Sequence, residues 1–526
     1  MIQVLYPGNR LQAGSIVTAA IIRSCGRSQV ISKSFSYLQH WLDAPVKSCF
    51  VFIDPPEEWS KDIVHILNNG LAKVILLGII PSSLADYLEV TLSPISDELI
   101  DAAHCEPAPT HSFSESRASI NYHTSIANVE SPILRRPFKR FDFTDEWNNL
   151  GFGAICADNS IWSISQNAIV PMKVKVASIS IDSNEVSAYA AIWDSSKASL
   201  LWFNRSVGPV DSQEWRLIEV FIANYRSAEL PCWPVLCEIP YGYSAAVTMR
   251  LDCDEDVESA RKLWNIYQNM EVPFSLALHS AVLSDIQHHK LPKEVLAHGG
   301  AILSHTATHA PDWGGSYDAA FKEGLDSNSN ILAATEHLVR YAVSPFHQTP
   351  NYARTALADA GYEGCIGGII KNDPDFLMAR AGTPPGSSEG FIGHSQQCML
   401  HGDCMLEGED PLKIFKQAFD YALAGRALFG YLDHPFSERY QYGWSNEEER
   451  KHMHQQFVDY IKNSDDVLFL NEDDALDFIG YKSLISIVND GEKFQISTSF
   501  SNKSKFSLGV EYVGTLHQLT NNGLTL

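Results

Sequence analysis

Ala245–His279 reads AAVTMRLDCDEDVESARKLWNIYQNMEVPFSLALH. AAVTMRL is a strand candidate that stops at an acidic cluster. ESARKLWNIYQNM then sets Ala260, Leu263, Trp264, Tyr267 and Met270 on one side at helical spacing, and VPFSLALH is a second strand. The unit repeats downstream. GAILS, EGCIGGII, ALFGYL and VLFL read as further strands, and Ser329–Tyr341 reads as a long helical stretch. Repeated βα units of this size predict a parallel α/β barrel or sheet, with chemistry at the C-terminal strand ends. Asp252, Asp254, His305, His309 and His434 all fall just after an apolar strand run.

The second strand end reads His305-Thr306-Ala307-Thr308-His309. Imidazoles four apart share a face if the segment makes a helical turn, and with one carboxylate they form a three-ligand metal site with an open position. A loop-packing role is the alternative. Asp252-Cys253-Asp254 supplies carboxylates on one face, since residues two apart on a strand point the same way. The alternative there is a helix N-cap, with Asp254, Glu255 and Asp256 favouring the dipole of the following helix. His434 follows ALFGYLD and precedes a proline; it is either structural or a proton donor. Trp313 is either a sugar-stacking ring or a core residue. His394, Cys398, His401 and Cys404 have a spacing that could hold structural zinc, or are ordinary loop residues.

The four strings in order resemble the polysaccharide deacetylase (NodB-homology) family, carbohydrate esterase family four, over about residues 245–479. TMRLDCDED stands for the first motif, GGAILSHTATH for the second, FHQTPNYARTALADAGY for the third and Leu432-Asp433-His434 for the last. The resemblance implies a distorted (β/α) barrel and a metal-dependent amide hydrolase that removes the N-acetyl group of an amino sugar or glycan precursor, leaving amine and acetate. It implies a divalent metal, zinc by preference, held by Asp254, His305 and His309. Asp252 would be the general base, His434 the general acid, and Trp313, His347, Asn351 and Tyr352 would contact substrate. Two departures stand out. Cys253 separates an Asp pair that is usually adjacent, and His347 stands where the family has an Arg orienting the base. Arg250, two residues before Asp252, could substitute for that Arg. A non-sugar amide or cyclic imide hydrolase on the same barrel, and a degenerate glycan-binding or scaffold protein, are the alternative readings.

The rest of the chain bounds the context. Residues 1–103 alternate strand-like SCFVFID and KVILLGII with the helical EEWSKDIVHILNNG, which predicts a Rossmann- or flavodoxin-like α/β region. No phosphate-binding glycine motif accompanies it. Residues 104–132, rich in Pro, Ser, Thr and His, read as a linker or long loop. Residues 133–240 continue the N-terminal region with mixed strands and the helix SQEWRLIEVFIANYR, 241–480 form the barrel, and 481–526 are a small β-rich addition. The chain has 526 residues, 45% of them hydrophobic and 19% charged, as in globular proteins. A net charge of −24 argues against nucleic acid as a partner. No segment is long enough to span a membrane. With no export signal and ten scattered cysteines, free thiols and a cytoplasmic location are expected.

Overall fold

The computed structural model describes all residues except 37–46, 104–116, 124–136, 139–156, 210–211, 368–379, 396–397, 407, 409, 438 and 499–503. Most of the expected linker thus lies outside the described residues. The chain is α/β throughout.

The N-terminal strands are β1 (Ile2–Tyr6), β2 (Val30–Ser34), β3 (Lys47–Ile53) and β4 (Leu71–Leu77), followed by β5 (Thr91–Ser93), β6 (Ala118–Tyr122), β7 (Pro137–Phe138) and β8 (Asn167–Ile169), then β9 (Lys175–Ile181), β10 (Asn184–Asp194) and β11 (Ala198–Phe203). Nine of them form one sheet in the order β2-β1-β3-β4-β11-β10-β9-β6-β7. β2 to β4 run parallel with crossover helices, as a flavodoxin-like layer does, and β11 joins β4 in parallel. From β11 onward the sheet is antiparallel, so the doubly wound character covers only half of it. Ser60–Asn69 is helical as its spacing predicts; Trp59, Ile63, Ile66 and Leu67 are buried, each worth about 1.5–3 kcal/mol relative to exposure.

After β12 (Val235–Pro240) the barrel strands follow: β13 (Ala245–Cys253), β14 (Ser275–Leu278), β15 (Ala301–Ser304), β16 (Tyr341–Val343), β17 (Gly364–Ile366), β18 (Ile392–His394), β19 (Cys398–Met399), β20 (Leu428–Asp433) and β21 (Val467–Leu470). They pair in parallel in the order β18-β17-β16-β15-β14-β13-β20-β19, and β21 pairs with the first half of β13. Among the described residues no ladder joins β18 to β19, so the barrel is distorted and open. Helix Arg261–Asn269 packs where the opening stretch places it, with Leu263, Trp264 and Tyr267 buried. The later helix differs from its expected bounds. It runs Tyr317–Thr335, because Ser316 caps its start, and Tyr341 belongs to β16.

The C-terminal strands are β22 (Ile485–Asn489), β23 (Phe494–Thr498), β24 (Leu508–Tyr512), β25 (Thr515–Leu519) and β26 (Leu524–Thr525). They divide between two antiparallel sheets, β22-β23-β26 and β12-β24-β25. β12 therefore pairs with the C-terminal segment and not with the N-terminal sheet.

Candidate metal centre

β13 is buried along its whole length, and its alternation sets the site. Arg250 and Asp252 share one face, and Asp254 follows at the same spacing just past the strand end. The Arg250 guanidinium donates to Asp252 through Nε to Oδ1 at 2.7 Å and through Nη2 to Oδ2 at 3.3 Å. Burial pushes the Asp252 carboxyl up, but the charges of Arg250 and then His305 outweigh it and hold the group below the usual range. The intervening Cys253 is buried in the hydrophobic core. The N-cap role considered for the acidic cluster falls to Asp256, whose Oδ1 accepts from the backbone N–H of Glu258 and Ser259. Asp254 is left to the site.

His305 and His309 leave the end of β15 on a loop and not on a helical turn. Thr306 and His309 adopt φ of 66° and 56°, and this bend brings the rings together in place of the expected helical spacing. Glu323 latches the loop by accepting from Ala307 N, Thr308 N and the Thr308 hydroxyl at 2.7–2.9 Å. The Thr306 hydroxyl accepts from His309 N at 2.8 Å.

The donor atoms converge. Nε2 of His305 and of His309 each lie 3.4 Å from Asp254 Oδ1, and 3.1 Å from each other. His305 Nδ1 lies 3.1 Å from Val343 O; a proton there turns the Nε2 lone pair toward Asp254. Burial, then the neighbouring His305, lowers His309 to about 4, so it is neutral at pH 7. Burial lowers His305 as well, but Asp252 and Asp254 outweigh it and draw positive charge toward this point. Asp254 Oδ1 is buried and has no hydrogen-bond donor in good geometry among the described residues. Two imidazoles and a carboxylate whose Oδ1 is this orphaned buried oxygen fit a divalent ion.

His434 faces the same carboxylate, with Nε2 3.8 Å from Asp254 Oδ2. Its ring stacks on Tyr442 at 4.2 Å and 14°. The Tyr442 hydroxyl donates to Asp254 Oδ2 at 3.4 Å. Asp433 is buried and accepts from Arg450 at 2.7 Å and from His434 N at 2.7 Å, and lies 3.0 Å from His454 Nε2. His401, Asp433 and His434 are the second group of potential ligands that converge among the described residues; His394, Cys398 and Cys404 join neither group, so their spacing makes no zinc site.

The residues expected to contact substrate divide. Trp313 is fully buried and donates Nε1 to Ser344 Oγ at 3.2 Å, so it packs the barrel and offers no face to a sugar. The Tyr352 hydroxyl donates to the Asp312 carbonyl at 2.6 Å and ties that loop. Asn351 is exposed at the start of helix Asn351–Asp359. His347 is buried, and burial lowers it to about 3, so it is neutral and cannot form an arginine-like ion pair with the base. Two neighbours of the ligands lay outside the sequence-based expectations. Phe346 is exposed with its ring 4.8 Å from that of His309, and Tyr442 is described above. Phe346 precedes His347 within the third motif, but nothing in the sequence around Tyr442 marks it. The eight described cysteines are buried. No helix among the described residues is long and apolar enough to cross a membrane.

No family model and no curated protein matches the chain. Similar solved structures include the carbohydrate deacetylase Agd3, at 11% identity and TM-score 0.40, with 100% of this chain and 98% of that one covered. A protein from Mycobacterium smegmatis assigned to the polysaccharide deacetylases shows 14% identity and TM-score 0.37, covering 46% of this chain and 92% of its own. The Puue allantoinase shows 13% and 0.34, covering 45% and 91%. Polysaccharide deacetylases and family 4 carbohydrate esterases are thus among the structures this chain is similar to.

Proposed function

We propose that the barrel is a metal-dependent deacetylase acting on the N-acetyl group of an amino sugar. The observation that carries this reading is the convergence of Asp254, His305 and His309 beside a second, arginine-held carboxylate. Asp254 Oδ1 and the two Nε2 atoms would hold the ion, with zinc the best match to an N₂O donor set. A bound divalent ion supplies Lewis acidity toward an acyl oxygen. The protein's own groups do the proton work. Asp252, ionised and oriented by Arg250, accepts the proton of the attacking water. His434 presents Nε2 on the other side of Asp254 and gives a proton to the departing nitrogen. Phe346 and Tyr442 border these groups and suit the apolar face of a sugar ring.

The test is acetate release from N-acetylhexosamine oligomers by zinc-loaded protein. Release should stop on chelation and return with zinc. Asp252→Asn should lower kcat by about 10²–10⁴-fold, the usual worth of a general base. Full turnover by that variant would remove Asp252 from the role. A protein that retains no zinc, or that hydrolyses cyclic imides and no acetylated sugar, would overturn the proposal.

A further inference from the structure

Lys482 lies in the last turn of helix Glu472–Ser483 and is buried, yet its Nζ has no hydrogen-bond acceptor among the described residues. Such an ammonium is costly, because burial removes its water and supplies no acceptor instead. Burial lowers it to about 8, with Glu238 and then Glu219 acting the other way, so it still carries its charge at pH 7. It lines a cavity of about 20 Å³ where three parts of the chain meet. Helix Leu11–Cys25 and the turn after it bring Arg23 and Arg27, the loop before β18 brings Gly382, Thr383 and Glu389, and the later helix brings Lys482. Arg23 spans this seam and donates Nη1 to the Arg380 carbonyl at 3.0 Å. Gly382 makes room for it: its φ is 151°, and a Cβ there would come within 2.7 Å of Arg23 Cγ.

The charges around the cavity do not balance. Among its lining groups Arg23, Arg27 and Lys482 are cations and Glu389 is an anion; Glu389 is largely exposed, with Oε1 3.9 Å from Arg27 Nε. Behind the lining, Arg380 is shared by Glu219 at 2.8 Å and Glu238 at 2.9 Å. Arg23, Arg380 and Lys482 are thus three buried cations against two buried carboxylates, a surplus of one. Arg216 and Glu511 at the edge of the cluster pair with each other and leave that surplus unchanged. A water in the cavity would accept from Nζ but leave the charge in place; an anion would answer both. At about 20 Å³ the cavity is little larger than the roughly 10–15 Å³ that one water needs. It therefore admits a monatomic ion and excludes phosphate.

We propose that this seam holds a chloride-sized monovalent anion on Lys482 Nζ, within the field of Arg23 and Arg27, and that the ion ties helix Leu11–Cys25 to the barrel. Bromide is the probe, since it replaces chloride and scatters anomalously. Crystals of the full chain grown in bromide should show an anomalous peak in contact with Lys482 Nζ. In solution Tm should rise saturably with chloride or bromide while gluconate, too large for the cavity, keeps the ionic strength constant. The rise should reach about 2–4 °C at about a hundredfold excess over Kd. Lys482→Met keeps the stem without the charge and should lose both the peak and the halide dependence. Arg27→Ala changes a largely exposed side chain, so it reports even if Lys482→Met does not fold. It should raise the halide concentration of half-effect several-fold. A cavity that holds water and no bromide overturns the proposal. So does a Tm that chloride and gluconate raise alike, a halide dependence that survives in Lys482→Met, or a response that Arg27→Ala leaves unaltered.

Discussion

Glu472 is buried within electrostatic reach of Arg250 and Asp252, and burial, only partly offset by Arg250, pushes its carboxyl from 4.5 up to about 7. Between those pH values the native state keeps a proton that the unfolded chain has released. Stability therefore falls as pH rises across that window. Glu472→Gln removes the ionisable group. By denaturant titration the variant should exceed the natural protein by up to about 3 kcal/mol at pH 8, the worth of a displacement from 4.5 to about 7. Near pH 4 the two should agree. Equal stabilities at pH 8 would show that Arg250 already neutralises the cost. Arg250 itself was legible as a candidate because it sits two residues before Asp252. Its pairing was not, since a strand-flanking charge and a buried ion pair look alike in sequence.

At the scale of elements, the loop 305–309 decides the metal centre. A helical turn would have set the two imidazoles one above the other; the actual loop uses two residues in left-handed conformations, and Glu323 holds it from helix Tyr317–Thr335. Glu323→Ala leaves two backbone N–H groups without their acceptor. Zinc affinity should fall about 10–100-fold, as for other groups that orient ligands, measured by competition with a chromophoric chelator. Unchanged affinity would mean that the loop holds its shape without the latch. The motif HTATH was readable because it follows a buried strand. Its conformation was not, because Glu323 lies fourteen residues past His309, with a loop and part of a helix between.

At the scale of the molecule, the N-terminal region and the barrel share one continuous core, and helix Ser212–Ala223 packs on helix Lys413–Gly425. A buried ionic cluster joins them. Arg380 donates to Glu219 at 2.8 and 3.1 Å and to Glu238 at 2.9 Å, and Arg216 adds a second charge on Glu219. Burial raises the Glu219 carboxyl, but Arg380 and Arg216 bring it down to about 2. Arg380→Met takes Glu238 from its arginine and leaves Glu219 with Arg216 alone, and should destabilise the protein by about 3–5 kcal/mol, as breaking buried ion pairs does. The measurement is the shift of the urea midpoint, and an unshifted midpoint would show that water reaches the cluster. None of this was visible in sequence, where residues 1–103 read as an α/β region, 133–240 as its mixed continuation and 481–526 as a small β-rich addition.

The sequence by itself determined the local order: which runs are strands, where the acidic and imidazole strings end them, and that Asp252 and Asp254 share a face. Those follow from side-chain periodicity, which needs no distant partner. Only the tertiary structure decided the remainder. It turned half of the first sheet antiparallel, buried Trp313, gave Asp252 its arginine and set His401 against His434. Each of these depends on groups far apart in the chain, or on packing that leaves no periodic trace in the residues that make it.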